Sequence, residues 1–260
     1  MSTQPIGIFD SGIGGTSIFK EIHELLPHEN TIYLADSKNA PYGNKSQDEI
    51  LQLSIKNTEL LLHRNCKLIV VACNTATTNA IDYLRLNYGV PIIGIEPAIK
   101  PAALNTKTKA IGILATKGTL SSALFHKTTD LYKRDIAVIE QVGDGIVPLI
   151  EAGKTDTIEM KALLERYLKP MVAANIDYLV LGCTHYPYLI PMLSNLLPKE
   201  VTIIDSGRAV AKQTKSVLEQ YGLFNTTSVT AKNHFYTNTN TEVLRHILDN
   251  NHAIVEVLDF

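Results

Sequence analysis

Short apolar runs alternate along this chain with stretches whose apolar residues recur every three or four positions. The apolar runs are typical of buried strands and, in the first part of the chain, cover residues 6–9, 32–35, 68–72 and 92–95. The run at 68–72 has no polar residue, as expected for a strand covered on both faces of a parallel sheet. Between the runs, one helix ends before Pro27, a second begins at a capping box in residues 46–49, and a third covers about residues 77–89. This alternation predicts a doubly wound α/β sheet.

The same pattern begins again in the second part of the chain. Residues 111–116 repeat the pattern of residues 6–11, and residues 178–184 repeat that of residues 68–74. In the second pair of segments a cysteine stands at the same place in both copies. The repeat is weak in identity but keeps its register, so it predicts two related α/β halves.

We therefore expect two pseudo-symmetric, doubly wound α/β domains with mainly parallel sheets and an active site in the cleft between them. The first domain begins with residues 1–97, and the second covers residues 98–206. Residues 207–260 have no second copy and must pack onto one of the halves. They carry a helix, a strand at residues 234–237 and one more helix and strand.

Cys73 and Cys183 each follow a predicted buried strand and precede a helix. Ligands bind beyond the carboxyl ends of the strands in open parallel sheets, and the start of a helix favours a thiolate, so we expect a lowered thiol pKa at these positions. The polar residues that follow suit a small polar ligand better than a core. Cys66 lies outside any such motif and is interpreted as a small buried apolar residue.

Two thiols in related halves indicate a specific reaction. Racemisation removes a proton from one face of a carbon and returns one to the other face, which requires acid–base groups on opposite sides of the substrate. Asp10 ends the first strand and His185 follows Cys183 by two residues, so each can exchange protons with a nearby thiol. From the residues alone, Asp10 also fits a turn or N-cap role, and Glu151 is interpreted as a helix residue facing solvent.

Composition narrows the class of protein. The 260 residues are 45% apolar and 19% charged, with a formal net charge of −2 and no basic patch, so we expect neither nucleic acid nor membrane as a partner. Residues 1–5 lack the features of a signal peptide, and three cysteines without a signal indicate reduced thiols in the cytoplasm. The motifs typical of zinc sites are absent from the sequence, and we expect no metal.

The chain resembles the glutamate racemases of the aspartate/glutamate racemase superfamily through nearly its whole length. The motifs that carry the resemblance are residues 7–15 (GIFDSGIGG), Asp36 with residues 40–43 (APYG), 72–77 (ACNTAT), 114–119 (LATKGT), 181–187 (LGCTHYP) and 204–206 (IDS). The two cysteine motifs together are highly specific. The resemblance implies interconversion of L- and D-glutamate without pyridoxal phosphate or any other cofactor, which supplies D-glutamate for peptidoglycan.

The resemblance also assigns residues. It implies that Cys73 deprotonates D-glutamate, that Cys183 deprotonates L-glutamate, and that Asp10, Glu151 and His185 assist them. The positions implied to contact substrate are Asp10, Ser11, Pro41, Tyr42, Gly43, Asn74, Thr75, Thr116, Thr119, Thr184 and His185. It further implies that residues 207–260 complete the first domain, and it allows a homodimer.

Four alternatives stay open. Aspartate racemase is the nearest, because residues outside the motifs decide between the two substrates. A nucleotide-binding oxidoreductase would use the glycine turn together with Asp36, but Ser17 replaces the final glycine and Asp10 would face the pyrophosphate. A Cys-His hydrolase with Cys183 and His185 leaves Cys73 unexplained. A two-lobed chain can also clamp an amino acid without catalysis.

Overall fold

The fold is a pair of parallel β-sheets, each flanked by helices. The computed structural model describes residues 3–133, 135–227, 229–248 and 253–260. The strands are β1 (Ile6–Asp10), β2 (Thr31–Ala35), β3 (Leu68–Val71), β4 (Ile92–Gly94), β5 (Ala110–Ala115), β6 (Ala137–Val142), β7 (Tyr178–Gly182), β8 (Thr202–Ile204), β9 (Asn233–Thr237) and β10 (Ala253–Val257). The α-helices are α1 (Thr16–Leu25), α2 (Gln47–His63), α3 (Asn74–Asn87), α4 (Ile99–Asn105), α5 (Lys117–Leu120), α6 (Ala123–Asp130), α7 (Ile146–Glu151), α8 (Ile158–Ala173), α9 (Ile190–Leu196), α10 (Gly207–Gln220) and α11 (Glu242–Leu248).

The first sheet has the strand order β10-β9-β2-β1-β3-β4, with every neighbouring pair parallel. The two strands of the C-terminal tail extend it beyond β2, and α10 packs along α1. The two strands of the tail therefore belong to the first sheet. The domain boundaries after residues 97 and 206 stay a prediction.

The second sheet has the order β6-β5-β7-β8, and it repeats the arrangement of β2-β1-β3-β4 in the first. The register is the same as well: Ile6 pairs with Leu68 in the first sheet, and Ile111 pairs with Tyr178 in the second. Ile111 lies 105 positions after Ile6, and Tyr178 lies 110 positions after Leu68, which are the offsets of the repeat in the sequence. The predicted α/β class with two related, parallel sheets is confirmed.

Several element boundaries differ from the predicted ones. Helix α3 begins at Asn74, not near residue 77, because the Cys73 sulfur acts as its N-cap and accepts a hydrogen bond from the Ala76 N–H at 3.4 Å. The predicted capping box is present, with the Ser46 hydroxyl accepting from Glu49 N–H. Strand β6 was not expected, because its edge position leaves its side chains partly exposed and its apolar pattern weak.

The hydrophobic core covers both sheets. One continuous apolar cluster joins side chains of the first sheet, such as Ile8, to those of the second, such as Leu179. Two smaller clusters cover the opposite faces of the sheets. Among the described residues, no helix has both the length and the apolar character needed to span a bilayer.

Candidate active site

The carboxyl ends of the central strands from both sheets meet at one small, enclosed cavity. Its volume is about 10 Å³, roughly the room needed for one water molecule. Both Cys73 and Cys183 line it, so the two thiols predicted to act as a pair share one cavity. The lining residues are Ser11, Pro41, Tyr42, Gly43, Cys73, Asn74, Thr75, Thr116, Val147, Cys183, Thr184 and His185.

Cys73 is 5% exposed and stands between β3 and α3. Burial raises the pKa of the Cys73 thiol well above its usual range, and the nearby Asp10 carboxylate raises it further. The Ala76 N–H and the Ser11 hydroxyl, 3.7 Å from the sulfur, act in the opposite direction and are outweighed. The expectation that the helix start lowers this pKa is therefore wrong for Cys73, since burial and a like charge dominate. In this geometry Cys73 is a thiol.

Cys183 belongs to a line of hydrogen-bonding groups. Its sulfur lies 3.7 Å from His185 Nδ1, and His185 Nε2 lies 2.5 Å from a Glu151 carboxylate oxygen. Burial acts to lower the pKa of His185, but its hydrogen bonds with Cys183 and Glu151 outweigh burial and raise that pKa well above the usual value. The ring therefore favours its protonated form and can pass a proton to or from the sulfur.

Glu151, the last residue of α7, faces inward. The interpretation of Glu151 as a helix residue facing solvent is therefore wrong. One carboxylate oxygen accepts the Ile13 N–H at 2.7 Å, and the other accepts the Ser37 hydroxyl at 2.9 Å. Its position is therefore fixed by the loops that follow β1 and β2 of the other sheet. Nothing local in the sequence shows this, because Ile13 lies 138 residues away.

Asp10 lies just behind the cavity wall and is fully buried. Burial raises its pKa, and the neighbouring His185 and the Gly15 N–H, which donates to it at 2.8 Å, act to lower the pKa. Its carboxylate also accepts the Thr184 hydroxyl at 3.4 Å and stands 4.0 Å from His185 Nδ1. Asp10 is therefore close to both thiol-bearing motifs, in addition to its turn role.

The glycine turn after β1 is filled by these acid–base side chains. A Cβ on Gly12 would lie 2.0 Å from Glu151 Oε1, and a Cβ on Gly14 would lie 2.2 Å from His185 Nδ1. The glycines are thus required for the close approach of side chains from the other sheet. The space that a pyrophosphate would take in a dinucleotide fold is occupied by a carboxylate and an imidazole.

Asp36 is equally unsuited to hold a ribose. Its carboxylate already accepts hydrogen bonds from Asn39, Tyr42, Lys56 and Asn238. A carboxylate offers about four lone-pair sites, so no acceptor is left for a ligand. The nucleotide-binding interpretation does not fit this geometry.

Asn74 offers unused polar atoms to the cavity. The side chain is 3% exposed, and neither its amide oxygen nor its amide nitrogen has a hydrogen-bond partner among the described residues. Buried polar groups without partners are costly, which indicates that a ligand satisfies them. Nearby, the hydroxyls of Thr75 and Thr116 lie 2.8 Å apart and face the same cavity.

The structure brings together all the residues predicted to form the site, with three of them in a second layer, one of which is Glu151 behind His185. Thr119 is fully buried behind Thr75 and Thr116 and is hydrogen-bonded to both, and Asp10 lies behind the thiols. Sequence reasoning missed Val147, an apolar lining residue, and Ser37, which fixes Glu151. No motif distinguishes either residue from ordinary core and loop positions.

Comparison with known proteins gives a consistent result. A family model described as Asp/Glu/Hydantoin racemase matches residues 6–214. A glutamate racemase from Herpetosiphon aurantiacus is 45% identical over 225 residues, which cover 86% of this chain and 89% of the relative.

Two solved structures agree over almost the full length. Escherichia coli glutamate racemase in complex with L-glutamate and the activator UDP-MurNAc-Ala is 32% identical, with a TM-score of 0.87 and 98% of each chain covered. Francisella tularensis glutamate racemase in complex with D-glutamate is 29% identical, with a TM-score of 0.86, covering 100% of this chain and 98% of the other.

Proposed function

Because this chain belongs to the Asp/Glu/Hydantoin racemase family and is an amino-acid racemase, we propose that it interconverts L- and D-glutamate by proton transfer between Cys73 and Cys183. The observation that carries the mechanism is the position of both thiols on one cavity. Relatives that resemble this chain over nearly its whole length are named glutamate racemase, and two of them bind the two enantiomers of glutamate.

The reaction needs one thiolate and one thiol in each direction. Cys183 takes the α-proton of L-glutamate as a thiolate, and the C–H electron pair remains on the α-carbon as a carbanion. Cys73, which burial keeps as a thiol, then gives its proton to the opposite face and yields D-glutamate. The reverse direction begins with Cys73 as thiolate and Cys183 as thiol.

Three neighbours return the thiols to their starting states. His185 exchanges a proton with Cys183 across their 3.7 Å contact, and Glu151 holds the ring in that orientation. Asp10, whose carboxylate is close enough to Cys73 to raise the pKa of that thiol, has a raised pKa itself and can take or return a proton there. The Cys-His pair also fits a hydrolase, but only racemisation uses the second thiol.

The remaining lining residues bind the substrate. Asn74 supplies the unpaired donor and acceptor, and hydroxyls of Ser11, Thr75, Thr116 and Thr184 supply further donors for an anion. Pro41, Tyr42 and Gly43 form one wall. Hydroxyls, amides and backbone N–H groups suit a dicarboxylate in a site where no arginine of the described residues lines the cavity.

Glutamate is larger than the cavity, so substrate binding requires the lining residues to move apart. A second cavity of about 370 Å³ shares Pro41, Gly43, Thr116 and Val147 with the inner one. It adjoins the cavity that holds the thiols and is the entry route that we propose for the substrate. A supply of D-glutamate for peptidoglycan, a cytoplasmic location and a homodimer stay predictions from the family resemblance.

The substrate assignment is tested by incubating the protein with L-glutamate or L-aspartate in deuterated water without added cofactor. We expect glutamate to lose optical rotation and to gain deuterium at the α-carbon, because inversion through a carbanion draws its new proton from solvent-exchanged thiols. Polarimetry and proton NMR follow the two changes. Exchange of aspartate alone would assign the chain to aspartate racemisation, and exchange of neither would overturn the proposed function.

The pH profile provides an independent test of the thiol pair. In the active enzyme, one of the two cysteines is a thiol and the other is a thiolate, so Cys73 and Cys183 hold one proton in total. Deprotonation of Cys73 removes that proton and leaves the pair inactive. Because burial raises the pKa of Cys73, we expect the alkaline fall of kcat/KM to lie above the ordinary thiol pKa of about 8.5. Asp10→Asn removes a charge that raises this pKa and should move the alkaline limb to lower pH.

The profiles of kcat/KM for both enantiomers must coincide, since their equilibrium constant is one. An alkaline limb below the ordinary thiol pKa of about 8.5 would contradict this assignment.

A further inference from the structure

A buried carboxylate with no place in the proposed proton transfers lies next to the cavity wall. Asp36 directly follows β2 and is fully buried. One of its oxygens accepts hydrogen bonds from the side-chain amides of Asn39 at 2.7 Å and Asn238 at 2.6 Å. The other accepts from the Tyr42 hydroxyl at 2.6 Å and from Lys56 Nζ at 3.3 Å. Asp36 thus joins the loop after β2, helix α2 and the C-terminal tail.

The Tyr42 hydroxyl is fixed from two directions. It donates to Asp36 and accepts from the Asn57 amide of α2 at 3.0 Å. Burial raises the pKa of Tyr42 well above its usual value, and the Asp36 carboxylate adds to the effect, so the phenol stays a neutral donor. Tyr42 stands between Pro41 and Gly43, and all three residues line the cavity.

The partners of Asp36 are themselves held by the end of the chain. Lys56 Nζ lies 5.3 Å from the ring centroid of Phe260, and the Asn238 amide also donates to the Phe260 carbonyl at 3.3 Å. The Lys38 backbone N–H donates to the Asn238 side-chain oxygen at 2.8 Å. Apart from Tyr42, the described groups that pair with this carboxylate and orient it do not line the substrate cavity.

We propose that Asp36 is a positioning residue that sets the wall formed by Pro41, Tyr42 and Gly43 through its bond to the Tyr42 hydroxyl, with Lys56 and Asn238 holding the carboxylate in place. This inference rests on the proposed racemisation of glutamate. The wall touches bound substrate throughout the reaction, so its displacement weakens ground state and transition state alike. Such a loss raises KM and leaves kcat nearly unchanged.

The first experiment is a double-mutant cycle of Asp36→Asn and Tyr42→Phe. An amide has one acceptor oxygen and an NH2 group that only donates, so it cannot satisfy all four donors around Asp36, and phenylalanine has no hydroxyl to donate. We expect each variant to raise KM for glutamate about tenfold, as for loss of a hydrogen bond to a charged group, with kcat within about threefold of wild type. The double variant should differ from either single variant by less than about twofold, because both changes break the same bond. Glu165→Gln, in the exposed Lys161–Glu165 ion pair, is the matched control and should leave KM unchanged.

The second experiment measures the wall without using activity. Alkylation of each cysteine by iodoacetamide, followed by mass spectrometry, should be about five- to tenfold faster at Cys73 in Asp36→Asn and Tyr42→Phe, because a loosened wall exposes that thiol. Cys66, buried in the core, should keep its wild-type rate and reports general loosening of the fold. Lys56→Met should accelerate the alkylation of Cys73 less strongly than these two variants. Lys56→Arg, which keeps the positive charge, should leave the alkylation of Cys73 at its wild-type rate.

The outcomes separate the inference from the proposed function. Additive effects in the double variant, a loss in kcat with unchanged KM, or equal acceleration at Cys66 and Cys73 would overturn the positioning role. A wild-type protein that does not racemise glutamate would overturn the proposed function, and the alkylation rates would then decide the positioning role alone.

Discussion

Replacing either Cys73 or Cys183 by serine should lower racemisation of glutamate by about a thousandfold or more in both directions. General acid–base groups contribute about 10² to 10⁴ in rate. A serine hydroxyl is a far weaker acid than a thiol, so it is a poor proton donor and does not ionise to act as the base. Both thiols are needed in each direction, and therefore neither single variant keeps half of the activity. Polarimetry with each enantiomer measures the loss.

One-sided chemistry should survive in these variants. With Cys183 intact, Cys73→Ser can still remove the α-proton of L-glutamate and return deuterium to the same face, or eliminate from a β-substituted analogue of the same configuration. Cys183→Ser should do so only from the D-side. Cys66→Ala is the control, because Cys66 packs in the core against Gly7 and away from the cavity. Racemisation at the wild-type rate in either serine variant would refute the two-base mechanism.

A single methyl group at Gly14 should have an effect of about a hundredfold or more on kcat. The added Cβ would lie 2.2 Å from His185 Nδ1, so the ring must leave its line with Cys183 and Glu151. Misplacement of a catalytic group by about 1 Å can cost about 10² in rate. The measurement is kcat with each enantiomer at saturating substrate. Thermal unfolding checks that the variant is folded.

Gly89→Ala is the matched control for this substitution. Its Cβ would meet no atom within 4 Å, and the backbone there does not require glycine. It should retain wild-type activity. Gly12→Ala would place a Cβ 2.0 Å from Glu151 Oε1. It should lower kcat in the same way, because it displaces Glu151, which holds His185. Normal activity in folded Gly14→Ala would show that His185 does not act from its observed position.

The strands that carry the thiols could be predicted from the sequence because their signal is local. Residues 68–71 and 178–182 are apolar runs buried on both faces, and the repeated register follows from their spacing to β1 and β5. The helix start at Asn74 was missed because a cysteine is not a common N-cap.

The electrostatics of the site depend on contacts between distant segments and could not be predicted in this way. Glu151 has the sequence context of an exposed helix end, and only its contacts with Ile13 and Ser37 turn it inward. The pKa of Cys73 is decided by burial and by Asp10, which is 63 positions away in sequence, and these outweigh the helix start.

The contact between Asp10 and His185 depends on how closely the two sheets approach each other. Asp10 ends a strand of the first sheet, His185 follows a strand of the second, and the Asp10 carboxylate lies 4.0 Å from His185 Nδ1. A movement that separated the two sheets would lengthen this contact and the bonds from Glu151 to Ile13 and Ser37. The groups that prepare the thiols for proton transfer are therefore fully assembled only when the site is sealed. While the site is closed, burial keeps Cys73 a thiol, which limits its oxidation because peroxides and disulfides react with the thiolate.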